Sequence, residues 1–318
     1  EVKVLVLDFD PVIPQEGNRR LHEVLGWNNP RDLARGYIAD VLEVSGGFLR
    51  HRIVEWKEID AFHPKTDGYV YTAEEYMACW RKERAWHAPD GADYPRTFQD
   101  HGILPRVESG EIDEVWFFGA PYFGYSESMM AGRDAFWVNG PAMGIAQVPC
   151  ERAFVVMGFN YERGVAEMLH DLCHRTESTM GRTYGGWQVD RLTSPWAVFA
   201  ANFAQSNGTA NVGTCHWPPN AKEDYDYGNP REVQSGAEDW LGYPDLTGRT
   251  APVSCETWGG PDFHRNYMKW WFSHLPRAAG TQPDGRLNNW WRYLFDFNRY
   301  AEDGSLRDAS GTTSTLRE

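Results

Sequence analysis

"VKVLVLDFDPVI" (Val2–Ile13) is an apolar, β-branched run that ends around Pro11, and its reading decides the fold. A run of this kind without polar alternation is that of a buried strand. Working outward, "LHEVLGW" and "PRDLARGYIADVLEVSGG" have helical spacing, the second stopped by Gly46-Gly47. "LRHRIVEWKEIDAF" alternates as a half-buried strand does, and "TAEEYMACWRKERAWH" carries a Thr72 cap with Glu75 three residues on. "DEVWFFGAPYF" and "RAFVVMGFNY" predict two more strands with a looped, glycine-rich segment between them, and a helix follows the second.

From about residue 188 the character changes. "NGTANVGTCHWPPNAKEDYDYGNP" and "YPDLTGRTAPVSCETWGGPDF" are dense in Gly, Pro, Asn and Asp, which predicts ordered loops rather than long elements. Short helices are expected near "RNYMKWWFSHL" and "GRLNNWWRYLFDF", and "AEDGSLRDASGTTSTLRE" is polar without an apolar face. The expected class is therefore α+β or three-layer αβα: a mixed sheet with flanking helices and a loop-rich, Trp-rich C-terminal portion. The expected organisation is an α/β core over 1–187, a loop-rich portion packed on it over 188–300, and a polar tail or linker over 301–318, with further domains expected beyond it.

The 318 residues are 42% hydrophobic and 14% aromatic, enough for a substantial core. A net charge of −14 argues against nucleic acid or an anionic membrane as the main partner, since both call for a basic face. No apolar run approaches the roughly 20 residues of a membrane span. Tryptophan and glycine richness with few lysines leads to an expectation of a secreted, extracellular protein. The five cysteines show no CxxC spacing. No GxGxxG or GxxxxGK[ST] occurs, and "GYSES" puts Ser128 where the serine-hydrolase elbow needs glycine.

The helix "GVAEMLHDLCHRTESTMGRTY" places Glu167, His170, His174 and Glu177 three, four and three residues apart, on one face. His170 and His174 are one turn apart, the spacing at which two imidazoles share a metal ion. The other reading of the stripe is two partly buried histidines hydrogen-bonded to the two glutamates. "HDLCH" resembles the HExxH helix of zincin-type metallopeptidases, with Asp171 in the position of their glutamate base. That resemblance implies a zinc ion on His170 and His174 and a metal-bound water activated by Asp171 or a glutamate. "RTESTM" supplies neither the glycine nor the third histidine of the metzincins, and no glutamate lies between Glu177 and Glu223 to complete a gluzincin set. The third ligand is then Glu177 or a loop histidine, and His216 in "TCHWPPNA" is the choice because the Pro-Pro turn beside it fixes its direction. The wording of "EVWFFGAPYFGYSESMMAG", "MGFNYERG" and "LNNWWRY" resembles that of a recurring secreted bacterial family, which adds no function.

Three function classes follow. The first is a secreted zinc-dependent hydrolase acting on peptides, with Asp171, Glu177 and Glu167 as candidate catalytic residues and His170, His174, His216 and Glu177 as metal ligands. The second is a protein that binds or cleaves polysaccharide, with tryptophans as subsites and carboxylate pairs Glu167/Glu177 or Asp8/Asp10. The third is a non-catalytic adhesion or scaffold domain. Glu223, Asp224 and Asp226 are oxygen ligands of the kind calcium takes, without the 12-residue calcium-loop pattern. Because Cys173 precedes His174 and Cys215 precedes His216, convergence of the histidines brings the cysteines together, as a disulfide or as buried thiols.

Overall fold

The computed structural model describes residues 1–186 and 188–307, so residues 308–318 of the expected tail lie outside the described residues. The chain divides into two compact units: Glu1–Ala39 with Arg50–Asp171, and Asp40–Leu49 with the chain from Leu172 onward. The division falls inside the helix Val165–Tyr184, the long helix hereafter, rather than near residue 188.

The first unit is built on a five-stranded mixed sheet with helices around it. Its strands are β1 (Val2–Phe9), β2 (His51–Ile59), β3 (Glu114–Gly119), β4 (Ser128–Ala131) and β5 (Phe154–Asn160), in the order β2-β1-β3-β5-β4. The neighbours β2/β1, β1/β3 and β3/β5 are parallel, whereas β4 runs antiparallel to β5. Interior parallel strands are covered on both faces, which is why β1 and β3 are near-continuous apolar runs and almost wholly buried. The edge strand β2 keeps its alternating sequence and stays half-exposed along most of its length.

Strand β4 occupies the segment read from sequence as a glycine-rich loop. It has only four residues and no alternation to mark it, and its pairing with β5 makes it a strand. The close approach depends on Gly158, where an added Cβ would stand 2.3 Å from the Ser126 carbonyl oxygen. Thr72 caps Ala73–Trp80 in a capping box with Glu75, as the sequence indicates. Helices at Tyr94–Asp100 and Ile103–Glu108 add to the expected set.

The second unit has an aromatic core. Phe199 lies 5.2, 5.4 and 5.5 Å, ring centre to ring centre, from Trp240, Trp271 and Trp290, each edge-to-face. Trp271, Trp290 and Trp291 are fully buried, so these members of the two tryptophan pairs are core and present no face to a sugar. The expected helix near "RNYMKWWFSHL" spans Phe263–Ser273 and is capped by Asp262. "GRLNNWWRYLFDF" instead splits into a strand, Leu287–Asn289, and a helix, Trp291–Phe295. Among the described residues no helix is long and apolar enough to cross a membrane.

Candidate metal centre

The long helix begins beside Glu167, whose carboxylate accepts the Gly164 N–H at 3.0 Å and offsets the positive end of the helix. Glu167 therefore serves the helix terminus. One turn further, His170 is buried, and a turn beyond that His174 is partly buried. Their four-residue spacing stacks them on one face.

The loop that meets this face starts at Gly213. Its positive φ excludes a side chain, and so does its surroundings, since an added Cβ would stand 2.3 Å from the Trp217 carbonyl oxygen. Thr214 and Trp217 close the turn with two hydrogen bonds, Thr214 N–H to the Trp217 carbonyl and Trp217 N–H to Thr214 Oγ1. Tyr267 donates to the Thr214 carbonyl at 2.7 Å and Tyr227 to the Cys215 carbonyl at 2.9 Å. These bonds hold Cys215 and His216 in place where no regular pairing does.

His170, His174, Cys215 and His216 form a group whose ligand atoms all lie within 4.8 Å of one another, and it can hold a metal ion. Among the described residues it is the one such group of three or more His, Cys, Asp or Glu side chains. Glu223, Asp224 and Asp226 form no comparable group. Asp224 pairs with His216 at 3.1 Å, and Asp226 accepts the Lys222 N–H and the Asn229 amide.

Two carboxylates stand behind the histidines of the group. His174 Nδ1 lies 2.9 Å from Glu177 Oε2, and His216 Nδ1 lies 3.1 Å from Asp224 Oδ1. A carboxylate accepts, and in a neutral ring whose Nδ1 donates to one, Nε2 is the nitrogen that can take a metal ion. The two Nε2 atoms face each other at 2.9 Å. Carboxylate-backed imidazoles of this kind are the usual arrangement behind a metal ion.

Glu177, expected as a ligand, stands one step behind the group. Its Oε1 accepts the Cys215 N–H at 2.7 Å while Oε2 holds His174, so a single buried carboxylate orients both the helix and the loop member. Cys215 takes the place the sequence reading assigned to Glu177. The signal for it was its position next to His216. Asp171 lies on the helix next to His170 but outside the group. Burial, reinforced by the charges of Glu127 and Glu167, pushes its carboxyl well above the ordinary range.

Cys173 and Cys215 do meet. Both are buried free thiols, and their side chains are hydrogen-bonded to each other. Burial pushes the Cys173 thiol up to about 12, the Cys215 contact acting in the opposite direction. Beside the group opens a pocket of about 320 Å³ lined by His174, Glu177 and His216 together with Thr214, Gln205 and Trp217.

The carboxylates at the end of β1 are placed differently. Asp10 accepts the His22 N–H at 3.1 Å and pairs with His22 Nδ1 at 2.6 Å, tying down the turn after Pro11. Asp8 is 5% exposed and accepts the Trp56 indole N–H at 3.2 Å, while its Oδ1 has no hydrogen-bond partner among the described residues. Burial, and next the charge of Asp10, raise its carboxyl to about 7.

No protein-family model matches the chain, and neither a curated protein nor a solved structure matches it.

Proposed function

We propose that the chain is a zinc-binding protein in which His170, His174, Cys215 and His216 hold one ion. The observation that carries this reading is the group itself, four ligand atoms within 4.8 Å of one another, in which His174 and His216 face each other Nε2 to Nε2 at 2.9 Å. Mixed nitrogen and thiolate donors in a set of four suit tetrahedral Zn²⁺, and oxygen-seeking calcium does not fit them. Four protein donors fill the tetrahedron, so the ion acts as a clamp that fastens the Gly213–Tyr227 loop to the long helix. The binding free energy then adds to folding free energy.

A zinc-dependent hydrolase is the second reading, favoured by the pocket that reaches His174, His216 and the Glu177 carboxylate. In it the three histidines hold the ion, Cys215 stands off, and water takes the fourth position with its pKa lowered toward about 7. A peptide or polysaccharide substrate would enter by the pocket.

Plasma mass spectrometry of protein purified without a metal-affinity tag tests the first claim. One zinc per chain is expected, and a chain without any transition metal overturns both readings. Cobalt substitution then separates them. A thiolate-to-cobalt charge-transfer band that disappears in Cys215→Ser marks the four-donor clamp, and its absence in the wild type leaves the three-histidine site.

A further inference from the structure

The second unit carries another built cavity, independent of the metal centre. It has a volume of about 500 Å³, within the range of small-molecule sites. Its frame is the antiparallel pair Arg277–Thr281 and Leu287–Asn289, in which Arg277 stands opposite Asn289. The helix Trp291–Phe295 contributes Arg292, and the turn Phe297–Arg299 contributes Arg299.

The charge of this cavity runs against that of the molecule. The chain carries 45 acidic against 31 basic residues, yet among the described residues no acidic side chain lines the pocket. Arg292 and Arg299 share one neighbouring carboxylate, Asp296, at 3.8 and 3.2 Å. Arg277 donates to the Val44 carbonyl, at 3.4 Å, and lies beside Gly46, where an added Cβ would stand 3.3 Å from the guanidinium carbon. Three arginines therefore line one pocket, and Asp296 pairs with two of them.

A second observation comes from the uncharged wall. Asn289 lines the pocket, is 8% exposed, and its Oδ1 has no hydrogen-bond partner among the described residues. A buried amide oxygen in that state is costly unless a donor reaches it. Phe48 and Leu287 supply an apolar flank.

We propose that this pocket binds a small hydroxylated oxyanion of the acidic-sugar class: the guanidinium groups take its carboxylate, Asn289 Oδ1 accepts one of its hydroxyls, and Phe48 covers its carbon face. Guanidinium forks match the two oxygens of a carboxylate, which singles out an anion over a neutral sugar. The orphaned acceptor asks for a donor, which singles out a hydroxylated anion over a bare one.

Calorimetric titration of the full chain with D-galacturonate, D-galactose and inorganic sulfate tests this. Saturable galacturonate binding is expected, weakened by salt, with galactose and sulfate each at least about tenfold weaker. Arg277→Ala and Arg299→Ala each weaken galacturonate at least about tenfold and leave the ligand-free thermal midpoint unchanged, because both side chains are exposed. Asn289→Ala weakens galacturonate and leaves sulfate as it was. Should the alanine variant at 277 misfold, Arg277→Lys, which keeps charge but loses the fork, is expected to bind galacturonate more weakly. The proposal is overturned by non-saturating galacturonate, by galactose or sulfate binding as tightly as galacturonate, or by undiminished binding in both arginine variants.

Discussion

His174 and His216 face each other Nε2 to Nε2 at 2.9 Å, across 42 residues of sequence, each held from behind by a carboxylate on its Nδ1. A cation taken by both Nε2 atoms would turn this contact into coordination, which is the basis of the proposed zinc centre.

Glu177 Oε2 lies 2.9 Å from His174 Nδ1 and orients that ring, so Glu177→Gln is expected to weaken zinc binding by roughly 10–100-fold with the fold retained. The amide can still accept the Cys215 N–H through its oxygen. Its NH2 group would then face His174 Nδ1 and drive the proton to Nε2, removing the ligand lone pair. Competition against a chromophoric chelator measures the loss, and unchanged affinity would remove Glu177 from any role in the centre.

His170→Ala and His174→Ala are expected to lower the thermal midpoint and the zinc content together. An ion that binds only the folded chain stabilises it by about 2.7 kcal/mol at a hundredfold excess over its dissociation constant. Chelation of the wild-type protein should reproduce the shift and leave the variants unmoved. Full zinc content in both variants would return these histidines to ordinary hydrogen bonding.

The two touching thiols are expected to separate by role. Cys215→Ser should release zinc, whereas Cys173→Ala, which removes a buried sulfur without a ligand, should keep it and lose on the order of 1 kcal/mol of stability. Peptide mapping without reduction should find both positions as free thiols. A linked 173–215 peptide in freshly purified protein would contradict the structure at this point.

Asp8 gives a pH signature. Its folded-state value of about 7 lies above the ordinary 3.8, so the folded chain prefers the protonated carboxyl. The stability tied to that group is fully present below pH 4 and is lost as the pH rises from about 4 through about 7. Asp8→Asn, which cannot ionise, should therefore be more stable than the wild type at pH 8 by a few kcal/mol and nearly equal to it at pH 4. Thermal midpoints at the two pH values decide this, and a variant destabilised more at pH 8 than at pH 4 would reverse the assignment.

Much of the local structure was legible in the chain. The run Val2–Phe9 is a buried strand because eight residues almost free of polar alternation have no face to give to water. The long helix and the His170/His174 pair follow from a four-residue spacing, and Thr72 with Glu75 marks a helix start by its own hydrogen bonds. These features depend on neighbours within a turn or a strand pair, and backbone periodicity alone brings them about. The tertiary structure decided the rest. Strand Ser128–Ala131 exists through its partner β5, and Trp271 and Trp290, one from each tryptophan pair, became core by packing around Phe199. Cys215 rather than Glu177 joined the histidines, because the Gly213 turn and the Tyr227 and Tyr267 hydroxyls aim the loop from far along the chain. Burial beside Glu127 and Glu167 raises the Asp171 carboxyl, an environment that one helix's spacing does not contain. Ligand choice and charge state depend on what else is buried within a few ångströms, and long-range packing sets that.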